Sequence, residues 1–143
     1  MRVSTHIYTS AAVATALYAY SHSIGEAAIC FASGILIDLD HAIDFHLFSG
    51  EKFSVANFFS WYHEGRWQKI SLIFHSYELF GFVYAAACYL HSELLRAVLW
   101  GTSVHLLLDQ IGNKKTYQLS PWFYFMGYRI AARFRREKLL IRL

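Results

Sequence analysis

Four apolar stretches stand out along the chain. Residues 7–21 are rich in Ala, Val, Leu and Tyr, and from Val3 to Gly25 no residue carries a formal charge until Glu26. Residues 25–40 make a second run that ends in acids, residues 70–90 a third and residues 94–111 a fourth. Each comes near the roughly 20 residues a helix needs to cross a hydrocarbon core. The pattern therefore predicts an all-α chain: a polytopic membrane bundle of about four short transmembrane helices. Ser21-His22-Ser23-Ile24-Gly25 and His91-Ser92-Glu93 read as short polar turns joining the helices in pairs.

Between the pairs lies the longest connection, about residues 42–69. It mixes Phe45, Phe48, Phe53, Phe58, Phe59, Trp61, Tyr62 and Trp67 with Ser, Asn, Glu and Lys. Aromatic and polar side chains together belong at headgroup level, so a short amphipathic helix over residues 54–63 is expected on the membrane surface. Near the C-terminus, Ser120-Pro121 reads as a cap and first helical position, opening an interfacial helix near 120–142. Its cations, Arg129, Arg133, Arg135, Arg136, Lys138 and Arg142, suit anionic headgroups, with Phe134, Leu139 and Leu140 toward acyl chains. The flanking Trp and Phe favour a lipid surface over nucleic acid.

Composition points the same way. The chain of 143 residues is 56% hydrophobic and 16% charged, against about 25% charged in an average soluble domain. One domain spanning 1–143 is expected, with no low-complexity tract or internal repeat. Cys30 and Cys88 lie in apolar runs and read as unpaired. Arg2 followed by a short apolar core imitates a cleaved signal, a reading set aside because cleavage would discard His6 and leave the second run without its partner. With both termini on the cytoplasmic side of an inner membrane, every Lys and Arg except Arg96 falls on that side, as the positive-inside tendency requires.

The chemistry gathers around Ile35-Leu36-Ile37-Asp38-Leu39-Asp40-His41-Ala42-Ile43-Asp44-Phe45-His46, which crowds three carboxylates and two imidazoles into one short stretch. A helix end facing water is the plain alternative. The four-helix topology argues against it, because His6 opens the first run, Asp38, Asp40 and His41 close the second, His75 enters with the third, and His105 and Asp109 leave with the fourth. At about 1.5 Å per residue, His75 lies about 8 Å past Ile70 and His105 about 9 Å before Ile111, so their depths match. Helices that deliver ligand-type residues to one level are what a metal site in a bundle needs. Imidazole nitrogen with carboxylate oxygen suits a divalent ion, Zn²⁺ first, then Mn²⁺ or Fe²⁺. His41, His75, His105, Asp109, Asp38 and His6 are the candidate ligands. Asp38 and His41 share a helix face, whereas Asp40 is turned by about 160° from Asp38. Either the helix ends there or Asp40 orients an imidazole from behind. Glu78, a carboxylate inside an apolar run, and Asp40 are the candidate proton acceptors. His22, His91, His46 and His63 read as solvated.

His6, Asp38-Leu39-Asp40-His41, His75-Ser76 and His105-Leu106-Leu107-Leu108-Asp109 together give a pattern that resembles the bacterial and archaeal inner-membrane metal-dependent hydrolases. The chain departs from that family at Ile37, where the family has proline, and at Ile70-Ser71, where it has a His-Arg pair. Glu78, or His63 with Glu64, is the expected substitute for the missing imidazole. The resemblance implies a zinc-type cofactor and hydrolysis of a phosphoester-type bond in a lipid or lipid-linked substrate, such as a phospholipid, at the cytoplasmic membrane face. Two rivals come from other classes: a membrane metal or proton transporter, and a non-catalytic structural membrane protein whose polar groups satisfy one another. An all-helical protein that does not span a membrane is the remaining architecture.

Overall fold

A computed structural model describes residues 3–141, the side chain of Lys115 excepted. Arg2 and Arg142 lie outside the described residues. All regular structure within them is helical: α1 (Val3–Ser21), α2 (Ile24–Leu36), α3 (Leu39–Phe48), α4 (Val55–His63), α5 (Tyr77–Tyr89), α6 (Glu93–Tyr117), α7 (Met126–Ala131) and α8 (Arg136–Leu139). Two isolated antiparallel bridges, Lys69 with Arg135 and Leu119 with Leu140, are the extended pairings among the described residues.

The helix starts follow local chemistry. Ser23, Ser54, Ser76 and Ser92 each turn a hydroxyl back to accept an N–H of the first turn of α2, α4, α5 and α6. α1 ends at His22, which takes a left-handed φ of 55°.

The expected transmembrane bundle is not what forms. No helix among the described residues is long and apolar enough to cross a membrane. α2 and α5 have 13 residues each, about 20 Å at 1.5 Å per residue against a hydrocarbon core of about 30 Å. α1 is longer but interleaves Ser, Thr, His and Tyr with its alanines. α6, with 25 residues, carries Glu93, Arg96, Asp109 and Lys114. The multi-pass topology, the inner-membrane location and the cytoplasmic placement of the termini fall with the spans. The run at 70–90 misled because it joins an irregular segment, residues 70–76, to a helix that begins only at Tyr77. The run at 25–40 joins α2 to a turn at Ile37-Asp38 and then to α3.

The single interfacial helix expected near 120–142 is also replaced. Ser120 opens a turn, accepting the Trp122 and Phe123 N–H groups on its hydroxyl and carbonyl, and only the short helices α7 and α8 follow. This segment folds back on residues 65–76: Ile70 N donates to Phe134 O, Arg136 N to Gln68 O and Tyr77 N to Tyr124 O. Arg129, expected among the headgroup-facing cations, is fully buried.

Two cores result. α1, α2 and α6 close on Ala14, Cys30 and Ala97. The approach is tight because Gly34 and Gly101 face each other's helix: a Cβ on Gly34 would meet Ser10, and one on Gly101 would meet the Cys30 carbonyl and Ser33. The second core is aromatic and larger, built on Phe45, Trp61, Trp67, Ile70, Leu72, Phe123, Tyr124 and Leu139. α4 occupies almost the stretch expected of a short amphipathic helix, and packs Trp61 into this core.

Candidate metal centre

The site lies where the two cores meet. α6 carries His105 and Asp109 one turn apart on the same face, α1 brings His6 against them, and the turn between α2 and α3 supplies Asp38. His75 comes from the irregular segment before α5, which needs other support.

That support comes from α3. Its acids Asp40 and Asp44, four residues apart and buried, share a face that aims at residues 71–75. Asp44 accepts the Ser71 and Leu72 N–H groups at 2.6 and 3.0 Å, and the Ser71 hydroxyl as well. Asp40 accepts the N–H groups of Phe74 and His75 at 2.9 and 3.2 Å. A segment without its own helical bonds is thus satisfied by two carboxylates, which also hold Leu72 at a left-handed φ of 44°. Burial pushes the Asp44 pKa up, against the hydrogen bonds from Ser71 and Leu72. On the other side, Arg129 donates from Nη1 to the His75 carbonyl at 3.0 Å. Burial lowers its pKa to about 10, with Asp40, Glu78 and Asp44 opposing the shift.

The hydrogen bonds fix the direction of both central imidazoles. His75 Nδ1 lies 3.0 Å from Asp40 Oδ2, and His105 Nδ1 lies 2.7 Å from Gly34 O. A carboxylate and a carbonyl can only accept, so each Nδ1 carries the hydrogen and each neutral ring turns the Nε2 lone pair inward. The two Nε2 atoms sit 3.2 Å apart. Asp38 Oδ1 is 3.4 Å from His75 Nε2 and 3.3 Å from His105 Nε2. Asp109 Oδ2 is 3.4 and 3.6 Å from the same atoms. Four possible ligand atoms therefore converge, two nitrogens and two oxygens, all within 4.8 Å of one another.

Such a centre attracts positive charge. Burial opposes ionisation of Asp38 and Asp109, yet hydrogen bonds from His105 and His75, and for Asp109 also from His6, hold both far below the usual carboxylate range. Burial likewise opposes a charged His105, but its bonds to Asp109 and Asp38 push its pKa up to about 9. His75 is raised in the same way, burial being outweighed by Asp40, Asp109 and Asp38. His41 is lowered, by burial and by the charge on His75. A divalent ion could take the place of the two protons on His75 and His105. Ligands about 2.1 Å from a tetrahedral Zn²⁺ stand about 3.4 Å from one another; the five separations that involve His75 or His105 run from 3.2 to 3.6 Å.

The remaining candidates take distinct places. His6 stacks on His105 with ring centroids 3.9 Å apart and reaches Asp109 Oδ1 at 3.0 Å, so it braces Asp109 from behind. His41 Nε2 is 3.5 Å from Asp38 Oδ1, and with Asp40 and His75 it forms a second group of possible ligand atoms. Asp40 orients the His75 imidazole, and the helical run also breaks, at Ile37-Asp38, with Asp38 at the N-cap of α3. Glu78 is not brought to the cluster: its exposed carboxylate accepts the Met126 and Gly127 N–H groups at 2.8 Å each, at the start of α7. Desolvation pushes its pKa up, but those bonds, with the charge of Arg129, together bring it below the usual value. Glu64 pairs with Arg66 at 3.3 Å, and His63, His46, His22 and His91 are exposed. Sequence reasoning missed the supporting roles of Asp44, Ser71, Gly34 and Arg129. The four-residue spacing of Asp40 and Asp44 was the available signal.

Comparisons with protein-family models, curated proteins and solved structures found no match to this chain. What the fold and site define is an all-helical protein with a buried Asp/His cluster that could hold a metal ion.

Proposed function

We propose that the protein is a metal-dependent hydrolase acting on a phosphoester-type bond. The observation that carries this reading is the convergence of four possible ligand atoms from Asp38, His75, His105 and Asp109, with both Nδ1 hydrogens committed elsewhere. Without a metal the Nε2 atoms of His75 and His105 carry protons toward Asp38 and Asp109; a divalent ion would displace them and meet four lone pairs. Two nitrogen and two oxygen donors suit Zn²⁺, with Mn²⁺ and Fe²⁺ next.

A divalent ion there supplies Lewis acidity and a water that ionises near neutrality. The chain's own contribution is to orient and to limit access. Asp40 and the Gly34 carbonyl fix the ring planes of His75 and His105, as carboxylate and carbonyl partners do for histidine ligands. His6 holds Asp109. His75, His105 and Asp109 are almost wholly buried, whereas the Asp38 side chain is 33% exposed, so the site is open at that edge. Catalytic sites keep such an opening, and purely structural ones close it. The motif order that resembles the metal-dependent hydrolases supports the same chemistry. A membrane transporter would need crossing helices, and none is present among the described residues.

Metal content by elemental analysis is the first test, followed by hydrolysis of bis(4-nitrophenyl) phosphate with and without chelator. About one divalent ion per chain is expected, lost together with activity in His105→Ala and in Asp109→Asn, with helix content by circular dichroism reporting on folding. Equilibrium dialysis against Zn²⁺, Mn²⁺ and Fe²⁺ showing no uptake by the folded protein would sink the reading.

A further inference from the structure

We propose that the helical bundle carries a second binding site away from the metal centre, a cleft between α1 and α6 that takes an organic ammonium ion with an apolar body. The site is independent of the hydrolase reading. None of Asp38, His75, His105 and Asp109 lines it, and Tyr20, which does, stands about 21 Å along α1 from His6 at about 1.5 Å per residue.

One stripe of α1, Val13, Leu17 and Tyr20, looks across at one stripe of α6, Glu93, Ala97 and Trp100. Both follow the four- and three-residue steps that keep side chains on a single helix face. Where Gly34 and Gly101 admit Ser10 and the neighbouring backbone, α1, α2 and α6 close tightly. Toward Tyr20 the two stripes do not close. A cleft of about 750 Å³ lies between them, with Glu26 of α2 in its wall. Facing helix stripes ordinarily interdigitate until few gaps larger than a water remain. The space left here falls within the range of about 300–1,000 Å³ of small-molecule sites.

The lining selects the occupant by charge. Val13, Leu17 and Ala97 make an apolar wall, beside which the aromatic Tyr20 and Trp100 are left 86% and 57% exposed. Three charged residues share the cleft. Arg96 is already paired with Glu93, Nη1 to Oε1 at 2.5 Å. The half-buried Glu26 uses its backbone N–H on the Ser23 hydroxyl, while its carboxylate has no hydrogen bond or ion pair among the described residues. One negative charge is therefore left over. An anionic ligand would meet Glu26 and find the one guanidinium engaged, and a neutral apolar ligand would cover that carboxylate without a partner for it. An ammonium ion gives Glu26 a charge-assisted hydrogen bond. The faces of Trp100 and Tyr20 attract the same positive charge, and a hydrocarbon body covers Val13, Leu17 and Ala97.

Calorimetric titration of the full chain with phenethylammonium, its neutral counterpart phenethyl alcohol and its anionic counterpart phenylpropanoate tests this. Phenethylammonium is expected to bind at one site per chain, about tenfold or more tighter than the alcohol, with no measurable heat from phenylpropanoate. Glu26→Gln, which keeps the size of the side chain, should remove that preference. Trp100→Leu should weaken phenethylammonium by about two- to fivefold, and circular dichroism reports on the folding of both variants. The comparison of ammonium with alcohol needs no variant, so it stands even where a substitution unfolds the chain. Equal affinity for the two, a preference that survives Glu26→Gln, or no binding at all would overturn the proposal. The titration is repeated after treatment with a chelator, where unchanged affinity is expected; loss of binding would assign the amine to the metal centre and overturn the cleft. A dimer in sedimentation that Trp100→Leu dissociates would give the cleft to a second copy of the chain, and would also overturn the proposal.

Discussion

The packing of α1, α2 and α6 and the region wrapped around residues 65–76 bury their surfaces by opposite means. The first is made of small residues and close helix axes: Ala14, Cys30 and Ala97, with Gly34 against Ser10 and Gly101 against the Cys30 carbonyl. The second is made of large rings, two buried acids and a buried guanidinium. The helical region can place ligands by period alone, so His105 and Asp109 arrive together. The wrapped region has no period to rely on. It positions His75 through N–H groups of residues 71–75 given to Asp40 and Asp44 and a bond from Arg129 to the His75 carbonyl, partners that are remote in the chain or on another helix. The lesson is that one candidate metal centre can draw part of its precision from regular structure and part from buried polar groups.

That contrast can be broken at its most exposed point, the charge. Arg129→Ala removes a wholly buried guanidinium that donates to the His75 carbonyl, and is expected to cost about 2–5 kcal/mol, as truncating a large buried side chain does. Urea unfolding checks it, and a loss under 1 kcal/mol would show that the wrapped region does not depend on its guanidinium. Gly101→Ala is the matching blow to the helical region. Its Cβ collides with backbone on α2, for an expected loss of about 1–3 kcal/mol. It should also weaken metal binding, since it pushes Gly34 away from His105; unchanged affinity would separate helix spacing from ligand placement.

Asp40→Asn sharpens the comparison further. The amide oxygen can still accept backbone N–H groups, but the charge behind His75 is gone. Metal affinity, measured by competition with a chromophoric chelator, should drop about 10–100-fold, with a near-native circular dichroism spectrum. The smallest effect is expected at Glu78, outside both cores. Glu78→Gln removes a carboxylate from the start of α7, worth a few tenths of a kcal/mol at an exposed position. Because the folded-state pKa of Glu78 is depressed, its contribution is present above the ordinary value of 4.5 and disappears as pH falls below it. The variant should therefore match the parent in stability at low pH, fall slightly behind near neutrality, and keep its hydrolytic rate. A variant without activity would return Glu78 to the chemistry.

The polar turn at 21–25 and the existence of helices in the four apolar runs are local matters, and both were legible in the residues themselves, whereas the one cap expected, Ser120-Pro121, opens a turn. The sequence also put six candidate ligands at helix ends; Asp38, His75, His105 and Asp109 come together, while His6 stands behind Asp109 and His41 groups with Asp40 and His75. The membrane-spanning interpretation was also a local inference, and it failed for a local reason. Hydropathy averages over a run and does not register that residues 70–76 are irregular or that the chain turns at Ile37-Asp38.

What the sequence determined by itself, then, is a helical chain with imidazoles and carboxylates at recurrent positions. Only the tertiary structure decided which ring nitrogen faces inward, that Asp40 supports His75 while Glu78 serves α7, and that Arg129 is buried instead of displayed. The physical reason is range. Helix period and capping act within a few residues, whereas a buried charge finds its partner only after distant segments have closed around it.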